Sequence, residues 1–467
     1  MSVASPQDNF IVSSTVALKD PNLRSALGKA QKGFVEKRAD AIAAAGDFEA
    51  MRDMAQAVRQ KALADLDVYL QQFEANVEAA GGHVYWAETA DDMRRIVLDI
   101  CVKSAAQYVT KGKSMVSEEV GLNAALEEAG LTVFETDLGE YIIQLAEEPP
   151  SHIVAPALHK TRQQIIDLFK NHHDLGDRNL GEIQAIVDEA RMVIRERYLK
   201  ADVGITGANM LIAESGTTVI VTNEGNGDLT ASLPKTHIVT ASIEKIVPTW
   251  DDASKIMRVL ARSATGQAIT AYTTFFTGAK GADDFDGPEN FHVVLLDNGR
   301  SEMLGGEFRE MLQCIRCAAC INHCPVYQSV GGHAYNSTYP GPMGAILTPL
   351  LRGEDRDYML PNASSLCGRC DSVCPVRIPL SGLLRKLRDK RPSNGKLGGR
   401  AVSFFSWLAC RPKLYAFVTN LGAQSLRLAA LGKGKLRRMP LMSNWTRFKD
   451  LPIPDGGSFQ QQWKKRR

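Results

Sequence analysis

Seven of the chain's nine cysteines stand in two short runs, Cys314-x-x-Cys317-x-x-Cys320-x-x-x-Cys324-Pro325 and Cys367-x-x-Cys370-x-x-x-Cys374-Pro375, and no other feature restricts the surrounding fold so strongly. Thiolates three residues apart on a tight loop can wrap three corners of an iron-sulfur cubane, while the fourth, followed by a proline that turns the chain, is led to a second cluster. The runs therefore predict a reciprocal pair of [4Fe-4S] clusters. Cys314, Cys317 and Cys320 take the first, joined by Cys374, and Cys324 crosses to join Cys367 and Cys370. A structural zinc site is the usual meaning of paired C-x-x-C units, but it needs four ligands. It explains neither the third cysteine at the same step nor the proline after each last one. A complete second run would begin with a cysteine at position 364, where the chain has Ser364. The second cluster thus has three evident cysteine ligands. Its fourth iron is left to Ser364, to a distant residue such as Cys410, to a substrate or solvent, or is missing as in a three-iron cluster.

A chain of 467 residues has room for two or three domains. Its 44% hydrophobic and 23% charged content is that of a globular protein. The longest apolar candidate, Ala401 to Cys410, stops at Arg411, short of the roughly 18 residues a membrane span needs. Met1 to Thr15 lacks the basic start and apolar run of a signal peptide, and iron-bound thiolates suit a reducing compartment, so a cytoplasmic location is expected. Charge is unevenly placed. From Ser381 to Arg467 there are 20 Lys or Arg against 3 Asp or Glu, whereas the rest has 35 against 50. A basic tail on an acidic body suits an acidic partner protein or the anionic inner face of a membrane, to which the chain would then be peripheral. In the tail, Lys433, Lys435, Arg437, Arg438 and Lys464 to Arg467 accompany Phe404, Phe405, Trp407, Trp445 and Trp463, so that charge attracts and rings anchor. No helix-turn-helix or zinc-finger spacing accompanies these residues, and no specific nucleic acid is expected.

Four regions follow from the texture of the sequence: an N-terminal helical region (1–81), an α/β body (82–300), a ferredoxin-type segment (301–390) and the basic tail (391–467). Asp20 to Ala80 has helix formers with apolar residues at three and four. Beyond it, strand-like runs at His83–Trp86, Thr132–Glu135, Thr217–Thr222, His237–Ala241 and His292–Leu296 alternate with helical stretches at Thr89–Ala106, Thr161–Leu168 and Trp250–Ala264, the pattern of a largely parallel sheet. Gly281 to Asn290 reads as an exposed loop before the last strand, and Lys390 to Arg400 as a polar, glycine-rich connection. Between the cysteine runs, Gly331-Gly332-His333-Ala334-Tyr335 and Gly341-Pro342-Met343-Gly344-Ala345 carry glycines suited to a close backbone approach or to plain turns. His323 and His333 are candidate ligands or proton carriers, with ordinary loop positions as the alternative.

The body carries Lys113-Ser114-Met115-x-x-Glu118-Glu119, Glu135-Thr136-Asp137-Leu138-Gly139-Glu140-Tyr141-Ile142, Pro150-Ser151-His152-Ile153-Val154 and Gly207-Ala208-Asn209 with Ala213-Glu214-Ser215-Gly216-Thr217. With the cysteine runs, this succession resembles the iron-sulfur subunit of the bacterial L-lactate utilization system, the LutB/LldF/YkgF family, from about Gly82 to Leu380. The resemblance implies a lactate-utilization α/β domain, similar in fold to the sugar-phosphate isomerase and CoA-transferase superfamily, followed by an α-helical two-cluster ferredoxin domain. It implies two partner subunits and, with them, oxidation of L-lactate to pyruvate. It also implies that the seven-cysteine arrangement, with Ser364 in place of an eighth, is shared by the family, and it gives the same two ligand sets as the spacing.

The body's own chemistry is less defined. Gly204 to Thr218 places glycines and hydroxyls where strand-to-helix junctions could receive a carboxylate, although it holds no Rossmann or Walker fingerprint. Glu214 is a candidate base or a turn cap. His152, Lys160 and Arg162 could pair with a carboxylate or form a solvated surface. The leading expectation is an electron-transfer subunit of a lactate-oxidising complex, non-catalytic or partly catalytic, with catalytic residues undefined. The alternatives are a self-contained organic-acid oxidoreductase using an open cluster site, and a redox-sensing nucleic-acid-binding regulator.

Overall fold

Helix-forming residues with apolar side chains at three and four produce the helices Pro21–Ala43, Phe48–Ala64 and Leu66–Ala79. Asp20 and Asp47 start the first two, their carboxylates accepting backbone N–H groups of the first turn. This computed structural model describes residues 10–353, 356–390, 396–430, 434–437, 446, 449–454 and 457–466.

Ten strands follow: β1 (His83–Ala87), β2 (Tyr108–Lys111), β3 (Thr132–Glu135), β4 (Val203–Gly207), β5 (Met210–Ile212), β6 (Thr217–Thr222), β7 (Thr236–Ser242), β8 (Ile246–Val247), β9 (Tyr272–Phe276) and β10 (Asn290–Leu296). Six form a wholly parallel sheet in the order β1-β10-β7-β4-β2-β3. Every residue of β4 and β7 is buried, as expected of central strands covered on both faces. The flanking helices begin at side-chain caps: Thr89 and Asp92 form a capping box before Ala90–Lys103, and Thr249 accepts the Asp252 N–H before Trp250–Ala264. The exposed loop before Asn290 stands where the sequence predicts it.

Periodicity misses several elements. Strands β2, β4, β5, β8 and β9 and the helix Ile183–Lys200 carry too little contrast between faces, and β5, β6, β8 and β9 build a second, mixed sheet that the sequence pattern does not announce. The expectation for Gly204 to Thr218 is corrected. Its turns join β4 to β5 and β5 to β6, strand to strand, so no helix N-terminus stands there to receive an anion. Gly204 is required for packing instead, since a Cβ would lie 1.8 Å from the Thr230 carbonyl oxygen.

From Arg300 to Lys390 the described residues form short helices and turns without a strand, the longest being Gly341–Arg352 and Leu380–Lys390. This segment does not stand apart from the N-terminal helices. Leu27, Met51 and Val58 share one core with Val259 of the body and with Met311, Ile321, Ile346 and Leu383 of the cysteine segment. Gly332 permits a backbone contact there, because a Cβ would meet the Ser151 carbonyl oxygen at 1.8 Å. The close approach is thus to the chain's own body.

The chain divides into two compact units, Met1–Arg391 and Pro392–Arg467. The second contains the helices Lys396–Ala409, Pro412–Ala429 and Phe459–Arg466 and a two-residue antiparallel pair, Lys435–Leu436 with Leu451–Pro452. The first of these helices occupies the end of the stretch read as an open connection, because Ala401 to Cys410 extends its helical pattern backwards. Phe404, Phe405, Trp407 and Trp463 are largely exposed, while Lys433, Arg438, Trp445 and Arg467 lie outside the described residues. Among the described residues no helix is long and apolar enough to cross a membrane.

Candidate functional site

The two cysteine runs fold into the same local shape. Arg316 and Ala318, on either side of Cys317, have φ of 59° and 63°, and Leu366 and Gly368, on either side of Cys367, have 53° and 74°. Left-handed residues alternating with ordinary ones turn successive N–H groups inward, a nest for negative charge. The repeat aligns Cys367 with Cys317, Cys370 with Cys320 and Cys374 with Cys324, leaving Ser364 opposite Cys314.

Cys314, Cys317, Cys320 and Cys374 line one small cavity, although 54 residues separate Cys374 from the nearest of the others in sequence. None is in a disulfide. Burial pushes the Cys317 thiol up to about 12 and Cys374 up to about 11, with neighbouring thiols adding to the effect. The Ile378 N–H donates to Cys374 Sγ at 3.4 Å, and the Ala319 N–H donates to Cys317. Four sulfurs on one cavity, backbone donors directed at them and no histidine or carboxylate in the lining fit a cubane better than an ion that prefers nitrogen or oxygen.

The second set lies nearer the surface. Cys324 and Cys370 are buried and Cys367 is exposed. Burial raises the Cys324 thiol, with Cys367 contributing, and raises Cys370, to which Asp371 and Cys324 contribute. Cys367 is lowered instead, first by the Arg369 N–H and then by the Ser365 hydroxyl. Ser364 is half-buried; its hydroxyl accepts the Leu366 N–H at 3.1 Å and its carbonyl accepts Arg388 at 2.7 Å. Cys410 is exposed in the other unit.

Positive charge gathers around the first set. Arg52 donates from Nε and Nη2 to the Cys374 carbonyl at 3.0 and 2.8 Å, and Arg38 donates to the Val373 carbonyl at 3.0 Å. Arg59, fully buried, reaches the carbonyls of Leu312 and Gln313 just before Cys314. Arg316 Nη2 pairs with Glu244 at 3.1 Å, and Glu244 also meets Arg300, which holds Glu119 through both terminal nitrogens. Burial would raise the Glu244 carboxyl, yet Arg300 and Arg316 hold it at about 2. Burial also lowers Lys245, with Arg316 adding to the effect, to about 8. Beside these groups opens a cavity of about 260 Å³ whose lining includes Lys113, Asp137, Thr222, Glu224, Lys245, Arg316 and Cys317.

Two family models match the chain, the LUD domain over residues 70–296 and the 4Fe-4S dicluster domain over residues 310–378. Lactate utilization protein B of Lysinibacillus sphaericus (strain C3-41) is 45% identical, over 100% of this chain and 98% of that protein. The chain belongs to the lactate utilization protein B family. A second relative, the "uncharacterized electron transport protein YkgF" of Escherichia coli (strain K12), is 42% identical over 100% of this chain and 98% of its own length. Lactate utilization protein B of Bacillus pumilus (strain SAFR-032) is 45% identical over 96% and 95%.

In this member of the lactate utilization protein B family, the polar body residues singled out by sequence take structural positions. His152 is buried, with Nε2 3.0 Å from Asn322 Oδ1 and Nδ1 accepting the N–H groups of Val154 and Ala155. Burial, with Lys113 nearby, lowers it to about 3, so it is a neutral link to the cysteine segment and not a carboxylate receptor. Lys160 pairs with Glu148 at 2.5 Å, and Arg162 is exposed at the start of the helix Arg162–His172. Glu214 is exposed and accepts the Trp250 N–H at 2.7 Å, the contact expected of a cap. His323 Nδ1 donates to the Ala319 carbonyl at 2.9 Å, and His333 Nε2 donates to the Pro149 carbonyl at 2.8 Å. Lys245, Arg316 and Glu244 were not singled out by sequence reasoning. They come together only through the fold.

Proposed function

We propose that this chain is the iron-sulfur electron-transfer subunit of a system that oxidises L-lactate to pyruvate. The observation that carries the reading is the arrival of Cys374 beside Cys314, Cys317 and Cys320, which makes a four-thiol site from two distant runs. Cys314, Cys317, Cys320 and Cys374 would hold one [4Fe-4S] cluster, and Cys324, Cys367 and Cys370 a second with three cysteine ligands. When bound, such clusters accept and release single electrons. The protein's contribution is electrostatic. Arg38, Arg52, Arg59, Lys245 and Arg316 surround the first set and offset thiolate charge, which favours the more reduced state there. The second set has Asp371 beside it and Cys367 at the surface, so it is the site from which a partner protein can exchange electrons.

The relatives' names support a lactate utilization system. Two other subunits are its expected members, and the basic, aromatic tail is the expected contact with an acidic partner or a membrane surface. Anaerobic reconstitution with and without those subunits tests the reading. Lactate should reduce the clusters only when the partners are present. Full reduction of the isolated chain by lactate would reassign it as a self-contained oxidoreductase, a second reading favoured by the cavity that reaches Cys317.

A further inference from the structure

The parallel sheet reverses its winding between β2 and β4. The chain leaves β2 toward β3 on one side and leaves β4 toward β7 on the other. Loops that part in this way open a crevice at the carboxyl ends of the two strands, where open α/β sheets bind ligands. In this protein the crevice is the 260 Å³ cavity, walled by Lys113 and Ser114 after β2, by Gly207 at the end of β4 and Asn209 beyond it, and closed by Arg316 and Cys317 of the cysteine segment.

Two cationic donors in this lining lack a partner. Lys113 Nζ and Arg316 Nη1 are both shielded from solvent and make no hydrogen bond. The Arg316 side chain is 7% exposed, and its other terminal nitrogen is committed to Glu244. Glu140 and Glu224 feel the charge of Lys113, but neither forms an ion pair with it. A buried ionised donor without an acceptor is far more costly than a neutral one, so these atoms mark a place completed by an anion. The number of charges selects the anion. With Glu244 counted as the partner of Arg316, the charges of Lys113, Lys245 and Arg316 are matched by those of Glu244, Asp137 and Glu224, which disfavours a phosphate dianion, while the two unpartnered donors match the two oxygens of one carboxylate. Thr222 Oγ1, in the same lining, is buried and unpartnered, and Glu224 Oε2 receives only a long bond of 3.4 Å from the Leu138 N–H. These oxygens can take a second polar group of the ligand.

We propose that the cleft between the ends of β2 and β4 binds a small monocarboxylate with a hydroxyl or carbonyl oxygen, its carboxylate held by Lys113 and Arg316 and its second oxygen turned toward Thr222 and Glu224. This deepens the electron-transfer reading by giving the subunit a site of its own for the 2-hydroxy or 2-oxo acid class, and it rests on that reading only in assigning Cys317 to a cluster. The site adjoins the first cysteine set and not the set with the missing fourth thiolate.

Calorimetric titration of the anaerobic, cluster-loaded full chain with L-lactate, pyruvate and inorganic phosphate tests the proposal. Lactate or pyruvate should bind saturably and more tightly than phosphate. Lys113→Ala should weaken that binding about tenfold or more, the loss of one charge-assisted bond, and Lys113→Arg should restore part of it. Lys113 makes no bond in the protein, so its removal leaves the fold's own contacts in place; Thr222→Val supplies an independent, smaller loss, and Lys170→Ala, at an exposed position, should match wild type. Absence of saturable carboxylate binding, or binding indifferent to Lys113→Ala, overturns the site. Iron analysis on the same samples keeps the two readings apart, because carboxylate binding that depends on Lys113 upholds the cleft whatever the cluster count.

Discussion

Replacing Glu244 by Gln should destabilise the larger unit by about 3–5 kcal/mol, the range for a buried ion pair that loses one partner. The side chain is wholly enclosed. It lies 2.8 Å from Arg300 Nε, close enough for charge attraction though not aligned as a hydrogen bond, and 3.1 Å from Arg316 Nη2. Linkage gives a second route to the magnitude. The carboxyl moves from an ordinary 4.5 to about 2 on folding, and at about 1.4 kcal/mol per pH unit this corresponds to about 3 kcal/mol. Because the folded value is depressed, the stabilisation is present above pH 4.5 and is lost as pH falls through about 2. Glutamine keeps the shape, removes the charge and leaves two arginines facing each other. Anaerobic thermal unfolding of the cluster-loaded protein at pH 7 should show a fall in Tm of about 5 °C, and the difference from wild type should shrink toward pH 3. In the double variant Glu244→Gln/Arg300→Met the losses should be less than additive. A Glu244→Gln protein as stable as wild type at pH 7 would refute the reasoning, and so would a difference that does not depend on pH.

The other predictions concern the clusters and the tail. Anaerobically purified protein should be brown with about seven to eight irons per chain, the span from one full cubane plus a three-iron cluster to two cubanes; zinc in place of iron would exclude the assignment. Cys324→Ser should damage the cluster held mainly by the second run and Cys374→Ser the one held mainly by the first, read by EPR of the reduced protein, and damage confined to the mutated run would show the crossing to be wrong. Mild oxidation should give a three-iron EPR signal that Ser364→Cys suppresses and Cys410→Ala leaves alone; loss of the second cluster in Cys410→Ala would make that thiol the missing ligand. Removing Leu441 to Arg467 should leave both clusters intact while weakening, in a salt-sensitive way, sedimentation with anionic vesicles or capture by a partner subunit. Equal binding by truncated and full chains at low and high salt would make the tail a solvated extension.

The local shape of the cysteine runs was legible because its information is local: spacing within each run sets the loop, and the proline after Cys324 and Cys374 redirects the chain. The repeated left-handed pattern around Cys317 and Cys367 is the three-dimensional form of that spacing. The cleft was not legible for the opposite reason. Lys113 belonged to a recognised motif without a role, Lys245 lay in an unremarkable stretch, and Arg316 stood as an unspecified position between two cysteines. Only the crossing at β2 and β4 brings them to one cavity. His152 misled because a histidine near lysine and arginine reads as surface charge, whereas burial makes it a neutral link to Asn322. Strands β1, β3, β6, β7 and β10 were read correctly, but β2 and β4 share a sequence texture with loops, since Thr110, Lys111 and Thr206 are polar residues whose side chains find partners inside.

The arginine bonds to the second cysteine run also impose an order on biosynthesis. Arg38 and Arg52 reach carbonyls 335 and 322 residues further along the chain, at Val373 and Cys374. The ribosome therefore releases the N-terminal helices long before their docking surface exists, with Leu27, Met51 and Val58 still awaiting their partners from the cysteine segment. Such distant contacts form slowly and leave apolar surface open to aggregation in the interval. The N-terminal helices can therefore complete their docking only after Cys374 has left the ribosome, near the end of synthesis of the larger unit.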